Sequence, residues 1–85
     1  MKREEEIANA STVYSEYEYN QIDFKNGFFT GAKWADENPK SSWINMKRTE
    51  EIVKASKVYS EYEYNQIDFE NGFIAGARWS DENPK

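Results

Sequence analysis

The chain has 85 residues, 16 Asp and Glu against 11 Lys and Arg, a net charge of −5, and neither His nor Cys. That length fits one small domain with a modest core, and the missing residue types exclude imidazole acid–base catalysis, Cys–His nucleophiles and the usual zinc sites. Both signs of charge are interspersed and no basic patch exists, which argues against nucleic-acid or anionic-membrane binding by long-range attraction.

The chain is an internal repeat. Shifted by 45 positions, residues 1–40 fall on residues 46–85 with 31 identities, the mismatches being 4, 8, 9, 12, 25, 29, 30, 33 and 35 of the first copy. Residues 41–45 form the linker. Met46-Lys47-Arg48 aligns with Met1-Lys2-Arg3, the pattern of a duplicated small reading frame. One copy is below the size that usually folds unaided, so both copies are expected to share a single core. Aromatic residues make up 16% of the chain; each buries about 150–250 Å², which offsets the low mean hydropathy and argues against disorder.

The first predicted helix covers Arg3–Tyr17. Ile7, Ala10, Val13, Tyr14 and Tyr17 lie at helical spacing, and Glu4, Glu5 and Glu6 occupy the turn where carboxylates suit the positive helix end. The start has a basic pair but no apolar segment after it, unlike a secretory signal. The next stretch, YSEYEYNQIDF, is a hairpin corner: Asn20 is placed to cap a second helix, Asp23 to reach back as in a capping box, and Tyr19 to staple onto Phe24.

That second helix, Gln21–Asp36, carries Phe24, Gly27, Phe28, Gly31 and Ala35 on one face and Ile22 and Phe29 on another, so it is expected to be central and buried on two sides. Trp34 lies in its last turns. Asn26-Gly27 also signals a β-hairpin, but Gly31-Ala32-Lys33 makes a poor strand and the helix is preferred. Each glycine costs a helix about 1 kcal/mol relative to Ala, which close approach of another backbone would offset. The GxxxG spacing signals membrane dimerisation only inside a long apolar segment, and none is present. Proline after Asn38 ends the helix.

After the linker, where Ser41 or Ser42 can cap and Trp43-Ile44 can extend the helix backwards, the pattern repeats. Helices are expected over Trp43–Tyr62, with Ile52, Ala55, Val58, Tyr59 and Tyr62 apolar, and over Gln66–Asp81. Tyr64, Asn65, Asp68, Phe69, Gly72, Gly76 and Trp79 take the roles of their counterparts. The expected fold is all-α: two tandem αα-hairpins in a four-helix array with pseudo-twofold symmetry.

No run has the EF-hand spacing and no glycine pattern fits a phosphate loop. The Glu4–Glu6 and Glu50–Glu51 runs read as solvated helix starts, and Ser lacks a base partner. No catalytic residue, metal or cofactor is expected. The segments FFTGAKWADENP and FIAGARWSDENP resemble a short ending, F-x-x-G-A-x-W-A-D-x-N-P, of small uncharacterised proteins of gut bacteria and their phages. The resemblance covers about a dozen residues per copy, with Ser80 departing where Ala35 agrees. It implies a helical end and a mobile-element context, and no activity.

Two functional expectations follow. The favoured one is a non-enzymatic interaction module, cytoplasmic, that binds another protein and can self-associate, without direct nucleic-acid or membrane contact. The alternative is an acidic decoy occupying a nucleic-acid-binding protein, which requires a contiguous face of carboxylates at phosphate spacing; the interspersed Lys2, Arg3, Lys25, Lys33, Lys54, Lys57 and Arg78 count against it.

Overall fold

A computed structural model describes residues 2–39 and 45–85; the expected contribution of Ser41, Ser42, Trp43 and Ile44 to capping and to the third helix lies outside them. The described residues form four helices and no strand: α1 (Arg3–Ser15), α2 (Gln21–Glu37), α3 (Asn45–Tyr59) and α4 (Gln66–Glu82).

The helices stop for local reasons. After Ser15 the chain turns through residues 16–20, held by a Glu18 N–H to Ser15 C=O bond of 2.9 Å and by Gln21 Nε2 donating to the Glu16 carbonyl at 3.1 Å. The same bonds recur at Glu63 to Ser60 and Gln66 to Glu61. At the far end of α2, the backbone N–H and the side-chain Nδ2 of Asn38 both donate to the Trp34 carbonyl, at 2.9 Å each, and Pro39 follows. Orphan carbonyls of the last turn are thereby satisfied. Asn83 does the same for α4.

The α2 and α4 helices form the centre, with α1 laid on α2, α3 on α4, and α1 also reaching α4. The central pair is parallel. Asn20, just before α2, bonds Asp68 at the start of α4, and Asp36, near the end of α2, bonds Ser80 near the end of α4. What permits this closeness is the absence of side chains. A Cβ built on Gly27 would stand 2.9 Å from the Phe69 carbonyl carbon and from the Phe73 nitrogen, and nearer still to the Phe69 oxygen. One built on Gly72 meets Phe24 and Phe28 at the same distances, and Gly31 and Gly76 face the backbones of Phe73 and Phe28 respectively. The contacts are reciprocal. Each helix sets its glycines against the backbone that carries the other helix's phenylalanines.

Around this seam the core forms two clusters. Ile7, Phe24, Phe28 and Ala32 make one, Ile52, Phe69, Phe73, Ala77 and Ala35 the other. The tryptophans cross over: Trp79 of the second copy packs on the first cluster, with its ring 6.0 Å from Phe28, and Trp34 packs on the second, 5.8 Å from Phe73. Each copy thus lays its tryptophan on the other's cluster, while its phenylalanines stay in its own.

Two expectations about burial are corrected. The inward stripe of α1 is Ile7, Ser11 and Ser15, with Val13 exposed and Tyr14 half out, its ring 5.1 Å from Phe28. In α3 and just past its end, Ile52, Ser56 and Ser60 are buried while Val58 is exposed. Serines suit this seam because each hydroxyl bonds its own helix, Ser11 to the Ala8 carbonyl and Ser56 to that of Val53, so a small side chain buries no unsatisfied group. The second correction is Ile22 and Ile67, expected inside and in fact exposed, in the first turns of α2 and α4. Their partners Phe29 and Ile74 are half-buried against the clusters.

Candidate docking surface

Phe24, Phe69, the four glycines, Trp34 and Trp79 are packing residues of the central seam. At the corners the outcome differs. Asn20 makes no side-chain cap to α2; its Nδ2 donates across the seam to Asp68 Oδ2. Asn65 likewise donates to Asp23 Oδ2. Both asparagines hold φ near −106° and ψ near 80°, outside the extended geometry of a capping residue. The parallel packing puts an aspartate of the other copy beside each amide, and the charge-assisted bond from Nδ2 orients the side chain across the seam, so that its Oδ1 makes no cap. Nor does Tyr19 staple onto Phe24: Tyr19 is 97% exposed and Tyr64 96%.

These bonds also tie the two corners to each other. Because α2 and α4 run parallel, both turns lie at one end of the bundle, joined by the Asn20–Asp68 and Asn65–Asp23 bonds. That end is aromatic and bare. Tyr17 and Tyr62 are 93% and 92% exposed, and Ile22 and Ile67 about three-quarters. Glutamates alternate with the rings: Glu16, Glu18, Glu61 and Glu63 are all exposed, and neither residues 16–23 nor 61–68 contain a Lys or Arg. Beside the second corner a shallow groove of about 410 Å³ is lined by Phe29, Thr30, Tyr59, Glu63, Phe69 and Asn26. Phe29 already carries an ammonium, Lys33 Nζ lying 5.6 Å from its ring centre.

The opposite end is closed by a network that the sequence reading passed over. Arg3 Nε and Nη2 donate to the two oxygens of Asp36 at 3.0 and 2.9 Å, and its guanidinium lies 4.8 Å over the Trp79 ring. Arg48 repeats this with Asp81, at 2.8 and 2.9 Å, and with Trp34. Each arginine thus bonds its own copy's aspartate while covering the other copy's tryptophan. The forked bond from Arg3 holds the Asp36 carboxyl below its ordinary value, against the opposing pull of burial, and a hydroxyl bond from Ser80 adds to the effect. Asp36 in turn raises Arg3, and Asp81 raises Arg48. The signal available in sequence was the shared spacing: an Arg at the third position of each copy and an Asp 33 residues later.

Among the described residues no group of three or more acidic side chains is placed to hold a metal, and no helix is long and apolar enough to cross a membrane. No protein-family model, curated protein or solved structure matches the chain.

Proposed function

We propose that the chain is a non-enzymatic docking module whose tyrosine- and glutamate-rich end takes a cationic segment of another polypeptide. The observation that carries this reading is the pairing, at one end, of four tyrosines more than nine-tenths exposed with glutamates that have no ion pair among the described residues. Tyrosine offers large contact area at low cost in side-chain entropy. An arginine or lysine stem can lie on such a ring while its charged head meets the adjacent carboxylate, each cation–ring contact contributing about 0.5–1 kcal/mol at an exposed site. Two or three such contacts, with the carboxylate pairs beside them at about 0.2–1 kcal/mol each, sum to about 2–4 kcal/mol, a dissociation constant on the order of 1 mM or weaker for a single short peptide.

The acidic-decoy reading shares the cationic partner. Rings standing between the carboxylates, where a phosphate mimic needs an unbroken run of charge, favour a polypeptide cation read by ring faces.

The test is a titration of the isotope-labelled chain with a triarginine peptide at two salt concentrations. Expected are amide shifts confined to residues 14–24 and 59–69, weakening with salt, and lost in the variant carrying Tyr17→Ser, Tyr19→Ser, Tyr62→Ser and Tyr64→Ser. Because these rings are exposed, that variant should melt as the parent does. Shifts centred instead on the Asp36 and Asp81 end, or none at millimolar peptide, would remove the reading.

A further inference from the structure

Resting on that reading, we infer that the two corners act together, and that the partner is a twofold-symmetric protein presenting one cationic segment from each of its two subunits. Three observations converge. The residues of the corners are identical over Tyr14–Phe24 and Tyr59–Phe69, so whatever one binds, the other binds by the same contacts. Parallel packing of α2 and α4 brings both corners to one end, whereas an antiparallel pair would have put them at opposite ends. The Asn20–Asp68 and Asn65–Asp23 bonds fix them side by side, each corner holding the other's asparagine.

The reciprocity of the seam determines the shape of the partner. Gly27 meets Phe69 as Gly72 meets Phe24, so the two corners are exchanged by the same operation that exchanges the helices. A surface of this kind is matched by an object with its own twofold axis, whose two segments arrive in the same relation. One flexible chain carrying two segments in tandem would have to reverse direction between the corners. Charge selects the occupant: each corner holds two glutamates and two exposed tyrosines and no cation, so a second copy of this chain would set like charges face to face.

A pair of linked segments gains from proximity, since once the first is bound the second meets its corner at an effective concentration in the millimolar range for a short linker. Against a monomer dissociation constant near 1 mM, an effective concentration of a few millimolar is a gain of about threefold. The probe is the peptide Arg-Arg-Arg-Gly-Gly-Cys amide, S-methylated as the monomer or joined through its cysteine as a symmetric disulfide dimer. The protein has no cysteine with which the disulfide could exchange.

Calorimetry with the full chain should show two monomers bound per chain, but one dimer, about threefold tighter than the monomer. The gain should vanish in the variant Tyr17→Ser with Tyr19→Ser, which leaves one corner intact. A dimer no tighter than the monomer, a gain that survives loss of one corner, or a sedimenting complex of two chains bridged by one dimer would overturn the joint action of the corners. Monomer binding in those cases would leave the docking reading standing. Absence of binding by monomer and dimer alike would remove both.

Discussion

Gly31→Ala is the smallest perturbation that interrogates the central seam. An added Cβ would stand 2.7 Å from the carbonyl carbon of Phe73 and 2.8 Å from its Cα, and closer again to its oxygen. Carbon atoms in ordinary contact sit about 3.5–4.0 Å apart. The obstacle is helix backbone, which cannot rotate aside as a side chain can, so α2 and α4 must part by roughly an ångström. Overpacking of this kind costs about 1–3 kcal/mol, and separating the helices also loosens Phe28 and Phe73, both fully buried. Against this, alanine in place of glycine contributes up to about 1 kcal/mol of helix propensity. The expected net loss is about 2 kcal/mol, or about 8–16 °C in Tm for a domain of this size. Gly76→Ala should cost a similar amount, since its Cβ meets Phe28 at the same 2.7 and 2.8 Å. The double variant should cost less than the sum, because one separation of the helices relieves both clashes. Urea denaturation followed by circular dichroism measures all three. A Gly31→Ala variant as stable as the parent, or more so, would show that the backbones are not in contact and that propensity alone operates.

Arg48→Ala should destabilise by about 3 kcal/mol, since it strands the Asp81 carboxylate, 12% exposed, and uncovers Trp34. Arg48→Lys should restore only part of this in the same denaturation assay, lacking the fork and the planar stack. For Asp36 the folded carboxyl lies below its ordinary value of 3.8, so its contribution is fully present above the unfolded value and is lost as pH falls through the folded one. Thermal melts from pH 7 to pH 2 should show an acid limb below about pH 4 that Asp36→Asn flattens. A fragment of residues 1–40 leaves the glycine face of α2 bare and should fold only as a dimer. Sedimentation that finds a folded, concentration-independent monomer would contradict the shared core.

The helices, their corners and the close approach at the glycines could be read from spacing alone, because each depends on local chemistry: the acidic first turn of α1, Pro39 after Asn38, and glycines four apart on a face with phenylalanines. What escaped depends on the direction of packing. Asn20 and Asp23 have the local pattern of a capping box, and only the parallel course of α2 and α4 brings a competing aspartate within reach. The phase of α1 was misread because serines carry little apolar weight, yet Ser11 and Ser15 satisfy themselves and allow close packing. The bare end was missed for the same reason as the staple. Tyrosines placed at helical spacing were assigned to the interior, although α1 stops at Ser15 and leaves Tyr17 and Tyr19 past its last turn.

Ser80 shows what it means to hold two near-copies on one chain. Its hydroxyl donates to Asp36 and accepts from Arg3, whereas the corresponding position of the first copy is Ala35. In an assembly of two identical chains any substitution arrives in double dose, and a hydroxyl suited to one side must be tolerated on the other. Here it arrives once, so a polar group can be added at Asp36 while the matching site beside Asp81 stays apolar. Covalent linkage frees the halves to specialise one position at a time, including at Phe29 and Thr30 in the groove wall, which the second copy replaces with Ile74 and Ala75.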